Sequence, residues 1–374
     1  MSTPAPIGTE HPFHLIARSL RDEVSWASGS ALDWDGILRC ADQHGVAALL
    51  WSSLKGESGI PSAPLTSLST FVASEVARAA IRERELGRVL ASLESAGVDT
   101  IVIKGAALAY SCYPHPWLRT RTDTDLLLSR HSLEPAATTL EAAGYTQSAN
   151  VSTGEFVSHQ ASWVRVDEHG LLHVMDVHWK VVNPQVLADV ITFQDVRDSS
   201  VLVRAGAAAL RVPHPVWSLL IACVHRLAHH QDQERLGWLF DIHLLARHLE
   251  PGDWDTLLQI STERRVSAIC AAGLTTAARH LGTAVPTHTI RALTCAGSDD
   301  PSRGYAEQEQ RRIDVLRDDL RHLARWQDRF RLLREHAFPS ARFMMARYDT
   351  THRAWLPACY IHRLVTGAWK WMRA

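Results

Sequence analysis

Asp123 and Asp125 stand two residues apart where a polar stretch, Arg119-Thr-Arg-Thr-Asp-Thr-Asp125, runs into Leu126-Leu-Leu128. Residues two apart on a strand project to the same side, so these carboxylates point together while Thr122 and Thr124 face the other way. Like charges so placed repel unless water or a cation shares them. A hard divalent ion, Mg2+ or Mn2+, suits such a pair, because it binds through one or two carboxylates plus substrate phosphates. A third acid, Asp176, interrupts the apolar run Leu171-Leu-His-Val-Met-Asp-Val-His-Trp179 and shares one face with Val174 and His178. If the two strands are neighbours, Asp123, Asp125 and Asp176 converge and can hold two metal ions, one activating an incoming oxygen and one neutralising a triphosphate and its pyrophosphate leaving group. Asp176 would also assist deprotonation of an acceptor hydroxyl, and His178 would orient a carboxylate from behind.

A phosphate end is expected beside this metal end. The run Ile101-Val-Ile-Lys-Gly-Ala106 reads as a buried strand that ends in a glycine turn and enters a helix. Gly105, lacking a side chain, lets backbone N–H groups at the start of that helix approach a phosphate. Lys104-Gly105-Ala106 is therefore read as the nucleotide-binding turn, with Lys104, Arg119 and Arg121 as sources of positive charge. Lys104 and Arg119 are equally suited to pairing with the aspartates. Asp241, in Trp-Leu-Phe-Asp-Ile-His-Leu-Leu, sits on an apolar helix face and calls for a partner, Arg235 or a histidine. His225 and His229 have an i, i+4 spacing, but Arg226-Leu-Ala228 lies between them and not the His-Glu-x-x-His signature, so they read as structural.

The elements that must position these residues fall into three blocks. Residues 1–98 are helical: Leu15, Ile16, Leu20 and Val24 recur at helical spacing, the pattern repeats over Trp34 to Leu54, and one long helix spans Ser67 to Ala96 and stops at Gly97. Residues 99–213 form an α+β core, a small mixed β-sheet. Its strands are Thr100–Ile103, Thr122–Leu128, and a pair around the turn Asp167-Glu-His-Gly170; a helix runs from Ser132 to Ala143, and further strands occupy Ser200–Val203 and Ala209–Val212. Residues 214–374 are helical again.

Composition excludes several classes. With 46% hydrophobic and 21% charged residues and a formal charge of −1, the 374-residue chain reads as globular, with no overall field to draw nucleic acid or an acidic surface. Six scattered cysteines give neither a zinc knuckle nor a disulfide framework. The N-terminus lacks a secretory signal pattern and no run approaches a membrane span, so a cytoplasmic protein with no membrane partner is expected. From Pro301 onward there are 15 Lys or Arg against 8 Asp or Glu, interleaved with aromatics. Packed helices whose arginines reach solvent are the favoured reading, and RNA binding is the second one.

A strand ending in Lys104-Gly105, a helix, the Tyr113-Pro114 turn, Arg119 four residues before Asp123-x-Asp125, and the later Asp176-x-His-Trp179 resemble the uncharacterised nucleotidyltransferase group of the DNA polymerase β-like superfamily. Ala41-Asp-Gln-His-Gly-Val46, His225 with His229, and Arg235-Leu-Gly-Trp-Leu-Phe-Asp241 also resemble that group, so the likeness covers most of residues 30–250 and, weakly, the tail. The resemblance implies a nucleotidyltransferase core in which Gly105 matches the glycine motif, Asp123 and Asp125 the metal pair, and Asp176 the third acid. It implies transfer of an NMP group from an NTP such as ATP to a small molecule, peptide or RNA acceptor. The superfamily usually carries Gly-Gly or Gly-Ser where this chain has Lys104-Gly105. That departure, with the basic tail, motivates the alternative of a binding or regulatory module that kept the fold and lost the chemistry.

Overall fold

In a computed structural model of the chain, the described residues are 10–24, 26, 32–149, 154–229, 234–307 and 312–373. Their architecture is α+β: a five-stranded mixed sheet flanked by helices from both ends of the chain. The strands are β1 (Thr100–Ile103), β2 (Thr124–Leu128), β3 (Thr146–Gln147), β4 (Gln160–Val166) and β5 (Leu172–His178). Their order is β1-β2-β5-β4-β3. β2 and β5 are parallel, and every other neighbouring pair is antiparallel. The Asp167–Gly170 turn closes the β4–β5 hairpin as its composition predicts, the Asp167 carboxylate accepting the N–H of His169 and of Leu171 at 2.9 Å.

Four elements differ from their expected bounds or pairing. β2 begins at Thr124 and not Thr122, which leaves Asp123 just outside the ladder. The segments expected as strands near 201 and 209 are β6 (Val201–Ala205) and β7 (Ala208–Val212), which pair with each other in a separate two-stranded sheet. That ribbon packs beside β1. The helical periodicity of Trp34–Leu54 is divided at His44-Gly45 into Trp34–Gln43 and Ala47–Leu54, and the long helix runs Ser62–Ser95.

Strand alternation sends the two faces of the sheet into two cores. Val102, Leu126, Leu128, Met175 and Val177 pack with Leu86, Val89 and Leu93 of the long helix. Ile101, Ile103 and Leu127 join the other core, which holds residues from both the N-terminal helices and the helices after 214. Ser62–Ser95 reaches both, with Leu68 and Val72 in the larger core. Asp125 and Asp176 alternate with the residues of the smaller core, so they project toward the side on which the two helical regions meet.

Candidate active site

The parallel ladder between β2 and β5 sets the site: Asp125 is in register with Asp176, and Leu127 with His178. On β2's other edge Asp125 is in register with Ile103, the last residue of β1. Lys104 therefore leaves the sheet next to the Asp125 carboxylate. Its Nζ donates to Asp125 Oδ1 at 2.8 Å and lies 3.4 Å from His178 Nε2, which is itself 2.8 Å from the same oxygen. Both side chains of the ion pair are almost fully buried, Lys104 at 12% exposure and Asp125 at 9%. Burial alone would raise the Asp125 carboxyl, but the charge of Lys104 and the bond from His178 hold it well below the usual carboxylate range. Burial and the Lys104 charge lower His178 in turn, which favours a neutral imidazole.

Asp176 is in a different state. Burial pushes its carboxyl up to about 6; the Ser162 hydroxyl, which donates to Oδ1, offsets part of that rise, and the charges of Asp125 and Asp123 add to it. Asp123 keeps solvent contact, yet desolvation and the Asp125 charge raise it as well. Oxygens of Asp125 and Asp176 and a ring nitrogen of His178 all lie within 4.8 Å of one another. Two carboxylates and an imidazole in that space could hold a divalent cation. Asp123 is not in this tight group; it is exposed, and the charges of Asp125, Lys104 and Arg119 act on its carboxyl.

The glycine turn differs from its expected geometry. The residue in the left-handed region is Lys104, at φ +54°, and it is already the first residue of the helix Lys104–Ser111. A side chain there costs roughly 1–2 kcal/mol relative to glycine, a strain of the kind that persists at functional sites. Gly105 answers to a different neighbour: a Cβ on it would come within 3.3 Å of Arg119 Nη2. Ala106, next in the helix, is buried in the smaller core.

The two arginines expected at the triphosphate both have protein partners. Arg119 grips Asp241 side-on, Nε to Oδ1 at 2.8 Å and Nη2 to Oδ2 at 2.8 Å, while Nη1 donates to the Thr120 carbonyl at 2.8 Å. Tyr113 donates its hydroxyl to the same Asp241 at 2.7 Å. Burial would lower the Arg119 guanidinium, but the Asp241 carboxylate raises it, so the guanidinium keeps its charge. Arg121 is buried, stacks over the Tyr110 ring and donates to its hydroxyl at 3.1 Å. The partner of Asp241 is thus Arg119, not Arg235, whose guanidinium lies over Trp238. His225 lies edge-on to Trp238, and the side chain of His229 lies outside the described residues.

Asp241 is itself placed by a close contact between distant segments. The helix Leu236–His248 starts against the turn at His44-Gly45: Gly237 N donates to the His44 carbonyl at 3.0 Å, and a Cβ on Gly237 would meet that oxygen at 2.9 Å. Only glycine fits there. The two flanking motifs of the sequence, Ala41–Val46 and Arg235–Asp241, therefore form one unit that delivers Asp241 to Arg119 and Arg119 to the back of Gly105.

A family model described as an uncharacterised nucleotidyltransferase matches residues 30–282, more than half of the chain. The chain belongs to this uncharacterised nucleotidyltransferase family. Its match to the family takes in the sheet, both flanking motifs and the helices to 282, and ends before the basic tail. A solved structure of an antigenic nucleotidyltransferase-like protein from Paracoccidioides brasiliensis is similar over 56% of this chain and 95% of its own, at 13% identity and a TM-score of 0.34. No curated protein matches the chain. Among the described residues no helix is long and apolar enough to cross a membrane.

Two residues of this candidate site are not evident from the sequence. Ser162 follows from hairpin register once the Asp167–Gly170 turn is fixed, since Val166 opposite Leu172 puts Ser162 opposite Asp176. Tyr113 reads only as part of a turn; nothing local reveals that its hydroxyl reaches a helix 128 residues away.

Proposed function

We propose that this chain is a divalent-metal-dependent nucleotidyltransferase that moves an NMP group from an NTP to an acceptor and releases pyrophosphate. The observation that carries the reading is the pairing of Asp125 with Asp176 across the parallel β2–β5 ladder, two carboxylates of opposite protonation tendency facing one space. Asp125 and Asp176, with the exposed Asp123 two residues before Asp125, would hold one or two metal ions. When bound, such ions supply Lewis-acid stabilisation of the triphosphate and a more acidic acceptor hydroxyl.

The chain's own residues supply the rest. Asp125, its carboxyl held well below the usual range by Lys104 and His178 against the effect of burial, is the anionic anchor. Asp176, poised near 6, is suited to take a proton from the acceptor hydroxyl close to neutrality. Lys104 neutralises Asp125, and its ammonium, on a flexible stem, would supply positive charge to a triphosphate oxygen. Arg119 and Arg121 support the walls, Arg119 through Asp241 and Arg121 through Tyr110.

Purified chain incubated with α-labelled NTPs, Mg2+ or Mn2+ and a panel of hydroxyl, phosphate and peptide acceptors should transfer label. Asp125→Asn and Asp176→Asn should each abolish it while leaving the melting profile cooperative. Label transfer that survives both substitutions would remove the two acids from the mechanism. Salt-sensitive RNA binding without metal-dependent NTP binding would instead favour a module that lost its chemistry.

A further inference from the structure

We propose that the outward face of the C-terminal helices is a docking surface for an anionic lipid bilayer, on which the protein lies without crossing it. Thirteen large hydrophobic residues are exposed among the described residues, and eight of them fall between 326 and 365. The other five are scattered between 76 and 202. Single exposed apolar residues are ordinary, but a concentrated patch marks an interaction site.

The helix Trp326–Ala337 shows how the patch is built. Its inward side is firmly seated: Leu332 is fully buried, and Glu335 accepts the backbone N–H groups of Glu155, Phe156 and Val157 at 2.9, 2.9 and 3.1 Å. Its other side carries Trp326, Phe330 and Leu333 at i, i+4 and i+7, exposed by 70%, 60% and 45%. At 100° per residue these three fall within one narrow stripe. Arg329 and Arg334 flank it on either side, both exposed, whereas the helix's two acids, Asp328 and Glu335, turn away from it and are half-buried. The helix Leu356–Arg373 also has an apolar outer side, with Cys359 buried and Ile361, Leu364 and Val365 exposed opposite it.

The charge decides the occupant. A second copy would set one arginine-flanked stripe against another, and like charge opposes that pairing. An anionic bilayer offers both complements at once, phosphate headgroups for the arginines and an acyl boundary for Trp326, Phe330 and Leu333. The expected absence of a membrane partner rested on the lack of a spanning segment, which holds among the described residues; a helix lying in the interface needs no such length. This inference stands apart from the nucleotidyltransferase reading, since none of its residues belongs to the Asp125–Asp176 site.

The full chain would be co-sedimented with vesicles of pure phosphatidylcholine and with vesicles containing about one-third phosphatidylglycerol. Binding to the second kind only, weakening as salt rises, is expected. Trp326→Ser/Phe330→Ser should weaken partitioning by about tenfold or more, and Arg329→Glu/Arg334→Glu should abolish the preference for anionic lipid. Both variants alter outward positions and should melt with the wild type, which separates lost docking from lost folding. The proposal is overturned if the wild type ignores anionic vesicles, or if it binds them and neither variant changes that binding. A dimer that Trp326→Ser/Phe330→Ser dissociates, with no vesicle binding, would assign the stripe to a second copy. RNA binding lost in the Arg329→Glu/Arg334→Glu variant, again without vesicle binding, would assign it to nucleic acid.

Discussion

Whether Arg119 serves the nucleotide or the fold can be decided by uncoupling it from Asp241. The pair is buried, 15% and 7% exposed, and bidentate, and Asp241 also accepts from Tyr113. Removing one partner of such a pair leaves an uncompensated buried charge, at a cost of about 3–5 kcal/mol. With an unfolding entropy of roughly 2.1 cal/mol/K per residue over 374 residues, or about 0.8 kcal/mol/K, that corresponds to a fall of about 4–6 °C in melting temperature. Asp241→Asn and Arg119→Met should each show it by circular dichroism. Tyr113→Phe/Arg119→Met/Asp241→Leu, which removes every polar group of the cluster together, should recover to within about 2 °C of wild type, because apolar replacement of a whole buried pair is close to neutral. Gly105→Ala adds a second reading, since its Cβ would press on Arg119 Nη2. Its cost should shrink in the Arg119→Met background, as contacting sites are not additive. If Asp241→Asn melts within about 1 °C of wild type and Arg119→Met instead weakens NTP binding, the structural assignment of Arg119 is wrong.

Three further outcomes follow from the same geometry. Lys104→Met should bind Mn2+ more tightly by calorimetry, because the ammonium no longer competes for Asp125 Oδ1, yet transfer label more slowly; weaker metal binding would show that Lys104 does not compete with the ion. Ser162→Ala removes the hydroxyl that lowers Asp176, so the acid limb of the pH–rate profile should move to higher pH by about one unit; an unmoved limb would free Asp176 from the role of base. Glu85, bonded by Arg88, Tyr145 and Arg165, is pulled down to about 2 although burial alone would raise it. A depressed carboxyl contributes stability above its unfolded value near 4.5 that is lost as pH falls through about 2. Glu85→Gln should therefore melt lower than wild type at pH 7, with the gap closing progressively between those two values; a gap independent of pH would place the loss in packing.

How much of this was legible in the sequence depends on the range of the interaction. Residue alternation assigned Asp125, Asp176 and His178 to one side of their strands because strand geometry is local and fixed. The step that joins them, parallel pairing of β2 with β5 across some fifty residues, could only be supposed from the chemistry that two isolated acids would need. At the phosphate end the turn geometry was not legible, for a physical reason. Gly105 is read as the bare residue of a phosphate turn, yet the left-handed residue is Lys104, and the neighbour that a side chain on Gly105 would meet is Arg119. Arg119 and Asp241 each called for a partner, but a charge does not reveal which opposite charge it meets when the two are 122 residues apart. The two flanking motifs, Ala41–Val46 and Arg235–Asp241, meet only in the folded chain, where Gly237 lies against the His44 carbonyl. The flanking helices are thus part of the site's construction: a bulky residue at 237 would move Asp241, release Arg119 and loosen the turn that holds Lys104 against Asp125.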